Sequence, residues 1–261
     1  MRQFIRFLVR KIPRPVLIRM SYVFRWMVLP FYRGNKYECP VCGGTFRKML
    51  PYGNKGDDNR LCPRCLSLER HRLLWLFFKE KTNLFTERMR VLHVAPEQPF
   101  LERFKKLENL DYTTGDLLSP IADVKMDIMD IPFEDNHFDL VICNHVLEHV
   151  ESDIKAMKEV LRVLKPGGRA ILQVPINYRN EETIEDLSIT DPRERERIFG
   201  QYDHVRWHGL DYAERLRSAG FDVDENRFVE SLGDEKIDRY RLRKEETIFV
   251  SRKPKQAGQA E

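Results

Sequence analysis

From Arg90 onward, short apolar runs alternate with amphipathic stretches, the sequence form of a parallel sheet covered by helices. VLHVA, beginning at Val91, predicts a first strand and FLERFKKLE the helix after it. LDYTTGD, Leu110 to Asp116, predicts a second strand, and ADVKMDIMDIPF a third that ends in a loop. FDLVICN, Phe138 to Asn144, is apolar almost throughout, which places it centrally. DIKAMKEVLRVL reads as a helix stopped by LKPGG, where Pro and paired Gly turn the chain into RAILQVPI, the fifth strand. GLDYAERLRSAGF gives a further helix, FDVDENRF a sixth strand and ETIFVSRK a seventh. Upstream, Leu66 to Phe85 carries apolar residues at helical spacing.

Charge divides the chain. Residues 1–36 contain nine Lys and Arg and no acid, more than the whole net charge of +4, so the remainder is net negative. A basic groove across the main domain would leave a positive balance there, so nucleic acid is the less expected partner. The basic arm mixes aromatic and aliphatic residues with arginine, and its longest apolar run falls far short of the roughly 20 residues of a spanning helix. Such a segment suits the surface of an anionic membrane, or packing on the domain behind it. No small-residue cleavage site follows, so a signal peptide is not expected. The expected location is cytoplasmic, peripheral at the inner membrane surface if the arm binds lipid.

Four of the five cysteines fall as CPVC (Cys39, Cys42) and CPRC (Cys62, Cys65). This spacing matches a structural zinc site, in which four thiolates close a tetrahedron and leave no position for water. Two disulfides or a redox pair are the alternatives, disfavoured without a secretory signal. Cys143, in an apolar strand, reads as a core residue. The organisation expected is therefore an arm (1–36), a zinc ribbon (37–66), a connecting helix (67–87), an α/β domain (88–252) and a tail (253–261).

DIPFEDNHFDLVICNHVLEHV followed by EVLRVLKPGGRAILQVPI resembles the class I S-adenosylmethionine-dependent methyltransferases, from Val91 to Arg252. The resemblance implies a Rossmann-like seven-stranded sheet with its last strand antiparallel. It also implies S-adenosylmethionine above the carboxyl ends of the first, second and fourth strands. The chain departs from the family in the first turn: His93 stands where an acid orients the cofactor's amino-acid end, and Ala95, Glu97 and Pro99 stand where glycines follow. Glu97 is a candidate for the missing carboxylate. Asp116, ending the second strand, matches the acid that accepts from the ribose hydroxyls, and Asp127 with Ile128 matches the position that meets adenine. Each has a plainer reading: Asp116 a surface acid, Asp127 a turn residue, Glu97 a helix-start charge. Asn144 and His145 follow the fourth strand at the mouth, and Asn144 joins the cofactor residues.

For the chemistry, methyl transfer needs acceptor and methyl carbon held in line and, for a hydroxyl, removal of a proton. The candidates are His149, in VLEHV, and His204 and Arg206, in YDHVRWHG. The latter pair reads as an acceptor pocket for a polar or anionic group, with the charged insertion Asn177 to Gln201 as its lid or as a solvated helix. The expectation is a methyltransferase for a small polar acceptor, a sugar or a lipid-linked intermediate. The alternatives are an RNA methyltransferase that grips its substrate with the ribbon, and a binding module with a degenerate turn.

Overall fold

The computed structural model describes residues 27–52 and 57–255, together with Val16 and Met20. The basic arm therefore lies outside the described residues up to position 26, those two apart, and the tail from position 256. The chain forms two compact units that interleave in sequence. One comprises the described residues up to Asn83 with Gln98–Arg103 and Phe228–Glu246; the other comprises Leu84–Glu97, Phe104–Arg227 and the chain from Thr247.

The first unit opens with two antiparallel hairpins, β1 (Arg33–Cys39) with β2 (Gly44–Phe46) and β3 (Leu50–Tyr52) with β4 (Asp57–Leu61), each delivering a cysteine pair. Helix α1 (Glu69–Lys81) follows. Its Leu73, Leu74, Phe77 and Phe78 are buried, and the Phe77 ring meets Phe228 edge-on at 5.6 Å. Arg72 is fully buried on the same helix, a position that demands complete pairing of its guanidinium. Backbone carbonyls of Arg60, Ser67, Tyr240 and Arg241 supply it, at 2.6 to 3.0 Å. The unit also contains most of α2 (Gln98–Phe104), a 3-10 turn (Phe228–Leu232) and α6 (Gly233–Tyr240).

The second unit is built on a seven-stranded sheet. Its strands are β5 (Met89–Val94), β6 (Leu110–Asp116), β7 (Val124–Lys125), β8 (Phe138–Asn144), β9 (Leu164–Gln173), β12 (Asp222–Asn226) and β13 (Ile248–Arg252). Their order is β12-β13-β9-β8-β5-β6-β7, parallel except for β13, which pairs antiparallel with both neighbours. β8 and β5 are central and buried on both faces, as the run FDLVICN predicts for β8. Helix α3 (Asp153–Val163) turns Ala156, Met157, Val160 and Val163 inward at helical spacing, and its N-cap Ser152 accepts the Lys155 amide. Gly115 lets Met126 close on β6: a Cβ there would lie 2.3 Å from the Met126 sulfur.

Two expected elements differ. The third strand is only Val124–Lys125, because the chain turns at Asp127, whose carboxylate accepts the Met129 amide at 2.8 Å. The fifth strand begins at Leu164, so LKPGG is already in the sheet, with Gly167 left-handed at φ +78°. The charged insertion after β9 contains β10 (Ile184–Glu185) and helix α4 (Pro192–Phe199); β10 pairs with β11 (Arg206–Trp207) just beyond it, and α5 (Tyr212–Ser218) follows.

Candidate functional site

Strand order reverses between β5 and β8, with β6 and β7 continuing on one side and β9 on the other. Ligands of open α/β sheets sit outside the carboxyl ends of the strands at such a switch point. The turn after β5 and the loop after β8 emerge there, and a hydrogen bond joins them: Asn144 Nδ2 donates to Glu97 Oε2 at 2.7 Å. Ala95 adopts φ +49° and donates its amide to the Gly115 carbonyl at 2.8 Å. The turn thus keeps a left-handed backbone, the conformation glycine supplies freely, in a residue that carries a Cβ.

The residues here suit the amino-acid and ribose ends of S-adenosylmethionine. Asn144 is 4% exposed, and its Oδ1 has no hydrogen-bond partner among the described residues, an acceptor that a ligand ammonium or hydroxyl would satisfy. Asp116 Oδ1 accepts the amides of Leu118 and Ser119 at 2.7 and 2.6 Å, which fixes the carboxylate at the end of β6 and leaves Oδ2 outside these bonds. Asp127 holds its turn through the Met129 amide, and the Ile128 side chain belongs to the sheet core, so Ile128 offers a ligand its backbone only.

His93 occupies a different place from the one expected. Its ring is fully buried, packs near Phe104, and meets the Tyr112 hydroxyl through Nδ1 at 2.7 Å, tying β5 to β6. Burial, and then the charges of Asp123 and Glu97, push the Tyr112 phenol well above its usual range, so it stays protonated. The acid supplied by the turn itself is Glu97.

The loop after β8 carries the acceptor-side candidates. His145 is left-handed at φ +56°, and its Nδ1 lies 3.3 Å from Glu148 Oε1. Glu148 is 1% exposed. Burial alone would raise its pKa, but the hydrogen bond and charge of His145, with the charge of His149, hold it at about 2. The β11 segment lies directly against this loop: the Val205 amide donates to the Glu148 carbonyl at 3.0 Å. His204 is thereby brought beside His149, ring centroids 4.8 Å apart. Burial, the largest influence, lowers the His204 pKa and favours a neutral ring.

Arg206 does not line an open pocket. It is fully buried, and its guanidinium donates to the carbonyls of Leu147, Val150 and Glu151 and to the Glu185 carboxylate, at 2.6 to 2.8 Å. With these bonds made, it braces the loop that carries Glu148 and His149. His208 is buried beside it, its Nε2 3.2 Å from Asp153, which also takes two hydrogen bonds from Arg215. The expected polar pocket at HVRWH therefore reduces to His204.

In the other unit, the sulfurs of Cys39 and Cys65 are 3.6 Å apart and those of Cys42 and Cys62 3.7 Å. Thiolates on a tetrahedral ion at about 2.3 Å stand roughly 3.8 Å from one another, whereas a disulfide brings its sulfurs to about 2.05 Å. All five cysteines are unbridged. Each knuckle is followed by a left-handed residue, Gly43 at φ +67° and Leu66 at φ +59°, and the Ser67 hydroxyl lies 3.1 and 3.2 Å from the Cys39 and Cys65 sulfurs. Burial, and then the neighbouring thiols, push Cys62 far above the usual thiol range, a penalty that a divalent cation offsets. The cluster fits zinc.

Sequence reasoning missed Tyr112 and the Asp153–Arg215 pair, and it singled out Glu148 beside His149 without reading its burial. Only VLEHV carried a signal, as a polar pair just past a buried strand.

The profile of a methyltransferase domain family matches residues 77–172. Over 54 residues the chain is 46% identical to a demethylmenaquinone methyltransferase of Staphylococcus carnosus, covering 21% of this chain and 22% of that protein. Over 56 residues it is 38% identical to the ubiquinone/menaquinone biosynthesis C-methyltransferase UbiE of Idiomarina loihiensis, covering 22% of each. The chain thus spans about a fifth of these relatives' length. Among solved structures it resembles the [4+2]-cyclase SpnF, with TM-score 0.50 and 19% identity over 83% of this chain and 92% of that one. The sheet has the Rossmann-like fold of the methyltransferases, and residues 77–172 are similar to a methyltransferase domain. A cyclase on that fold shows that the architecture alone does not fix the reaction.

Proposed function

We propose that the chain is an S-adenosylmethionine-dependent methyltransferase acting on a polar acceptor. The observation that carries this reading is the Glu97–Asn144 pair at the switch point, with an Asn144 oxygen that has no hydrogen-bond partner among the described residues. Glu97 and Asn144 would hold the amino-acid end, Asp116 the ribose, and the backbone at Asp127 and Ile128 the adenine. When bound, S-adenosylmethionine supplies a methyl group on a sulfonium, ready for in-line displacement. The protein's part is orientation: the turn and the β8 loop fix one reactant, and the loop at Glu148, His149 and His204 receives the other.

Polar, buried groups on the acceptor side support an acceptor with hydroxyl groups, such as a sugar or a lipid-linked intermediate. The ribbon cysteines would hold a zinc ion that is closed to solvent and structural in role. Among the described residues no helix is long and apolar enough to cross a membrane.

The test is isothermal titration of the full chain with S-adenosylmethionine and with S-adenosylhomocysteine. One saturable site per chain is expected for each. No saturable heat with either ligand overturns the reading.

A further inference from the structure

We propose that Glu148, His149 and His204 form a divalent-metal site, separate from the cysteine cluster, in which the segment leading into β11 and the β8 loop share one ion. The three residues each offer a ligand atom, and these atoms lie within 4.8 Å of one another.

The orientation of each group carries the inference further than proximity does. Glu148 has one oxygen facing His145, while Oε2 is buried without a hydrogen-bond partner among the described residues. A buried, unpaired carboxylate oxygen is costly unless a cation meets it. His204 Nδ1 faces the Phe199 carbonyl at 3.0 Å and His149 Nδ1 the Asp203 carbonyl at 3.2 Å. A ring nitrogen facing a carbonyl must carry the proton, so both rings are the tautomer whose Nε2 holds a free lone pair. Metal-binding histidines are oriented in this way, with the second nitrogen donating to a carbonyl or carboxylate. His145 does the corresponding work for the acid, fixing Oε1 and leaving Oε2 as the ligand.

Two imidazoles and one carboxylate select a first-row divalent ion such as Co²⁺, Mn²⁺, Fe²⁺ or Zn²⁺. Three protein ligands leave coordination positions open, in contrast to the four-thiolate cluster. His149, with 31% of its side chain exposed, lies on the solvent side of the triad, where an ion and an acceptor oxygen can enter. The site does not depend on methyl transfer: it is read from these residues alone, and its test uses neither cofactor nor turnover.

The experiment titrates full-length protein carrying one zinc per chain, the complement of the cysteine cluster alone, with Co²⁺ and follows visible absorption. The expected result is one Co²⁺ per chain with ligand-field bands and no sulfur charge-transfer band, weakened at least tenfold in Glu148→Gln and in His149→Gln. If Glu148→Gln does not fold, the more exposed His149→Gln decides the matter alone. No cobalt binding by the wild type, binding that carries thiolate absorption only, or affinity unchanged in the variants overturns the proposal. Success here with no S-adenosylmethionine binding would leave this site standing and the methyltransferase reading fallen.

Discussion

Replacing Ala95 with glycine should make the protein more stable, an unusual direction for a change in the middle of a binding turn. Ala95 sits at φ +49°, and its amide is fixed by the Gly115 carbonyl, so the backbone cannot relax without breaking a bond between the turn and β6. A left-handed conformation costs an L-residue roughly 1–2 kcal/mol. Glycine removes that cost, but its greater freedom in the unfolded chain returns roughly 0.4–1 kcal/mol. The net gain is about 0.5–1 kcal/mol, a rise in Tm of about 1–4 °C for a unit of this size. Urea unfolding read at the transition of the sheet-containing unit measures it. Gly167→Ala is the matched control: φ is +78° there and the nearest atom to an added Cβ is 3.5 Å away, so it should destabilise through conformation alone, by about 1 kcal/mol. Should Ala95→Gly lower stability while Gly167→Ala behaves as stated, the turn does not hold the glycine-like backbone described above.

Further outcomes follow from the same geometry. Cys62→Ser should cost the purified protein one zinc per chain, by metal analysis, and lower the stability of the cysteine unit, because three thiolates cannot close the tetrahedron. Arg206→Ala should destabilise by about 3–5 kcal/mol in urea titration, since it leaves three buried carbonyls and Glu185 without their donor. Acid sensitivity should depend on Asp153. Burial opposes its ionisation, but hydrogen bonds from His208 and Arg215 and the charge of Arg206 hold its pKa well below the usual carboxylate range. A depressed folded pKa means that its stabilisation is complete above the unfolded value of about 3.9 and is lost as pH falls below it. The urea midpoint of the wild type should therefore drop below about pH 4, and Asp153→Asn should be less stable at neutral pH and flatter in acid.

What the sequence made legible was what local pattern encodes. FDLVICN is buried on both faces and central, as a continuous apolar run implies, and the paired C-x2-C motifs bring four sulfurs together. ADVKMDIMDIPF misled because Met126 and Ile128 alternate and are buried, as in a strand, yet the Asp127 turn achieves the same burial without one. HVRWH misled for a related reason. Its polar residues alternate, but the stretch is buried, and Arg206 is stabilised by carbonyls 55 to 59 positions away. Likewise Glu97 and Asn144 are 47 positions apart, and neither declares its partner in sequence. Only the strand order makes them neighbours.

The most direct test of the account is the affinity for S-adenosylmethionine of wild type, Asp116→Ala and His149→Gln, measured side by side by calorimetry. A ribose held by a carboxylate is a charge-assisted contact worth about 1.5–3 kcal/mol, so Asp116→Ala should bind roughly tenfold to a hundredfold more weakly. His149→Gln, on the acceptor side, should bind as the wild type does. Equal affinity in wild type and Asp116→Ala, or a loss in His149→Gln as large as that in Asp116→Ala, would contradict a cofactor seated at the ends of β5, β6 and β8.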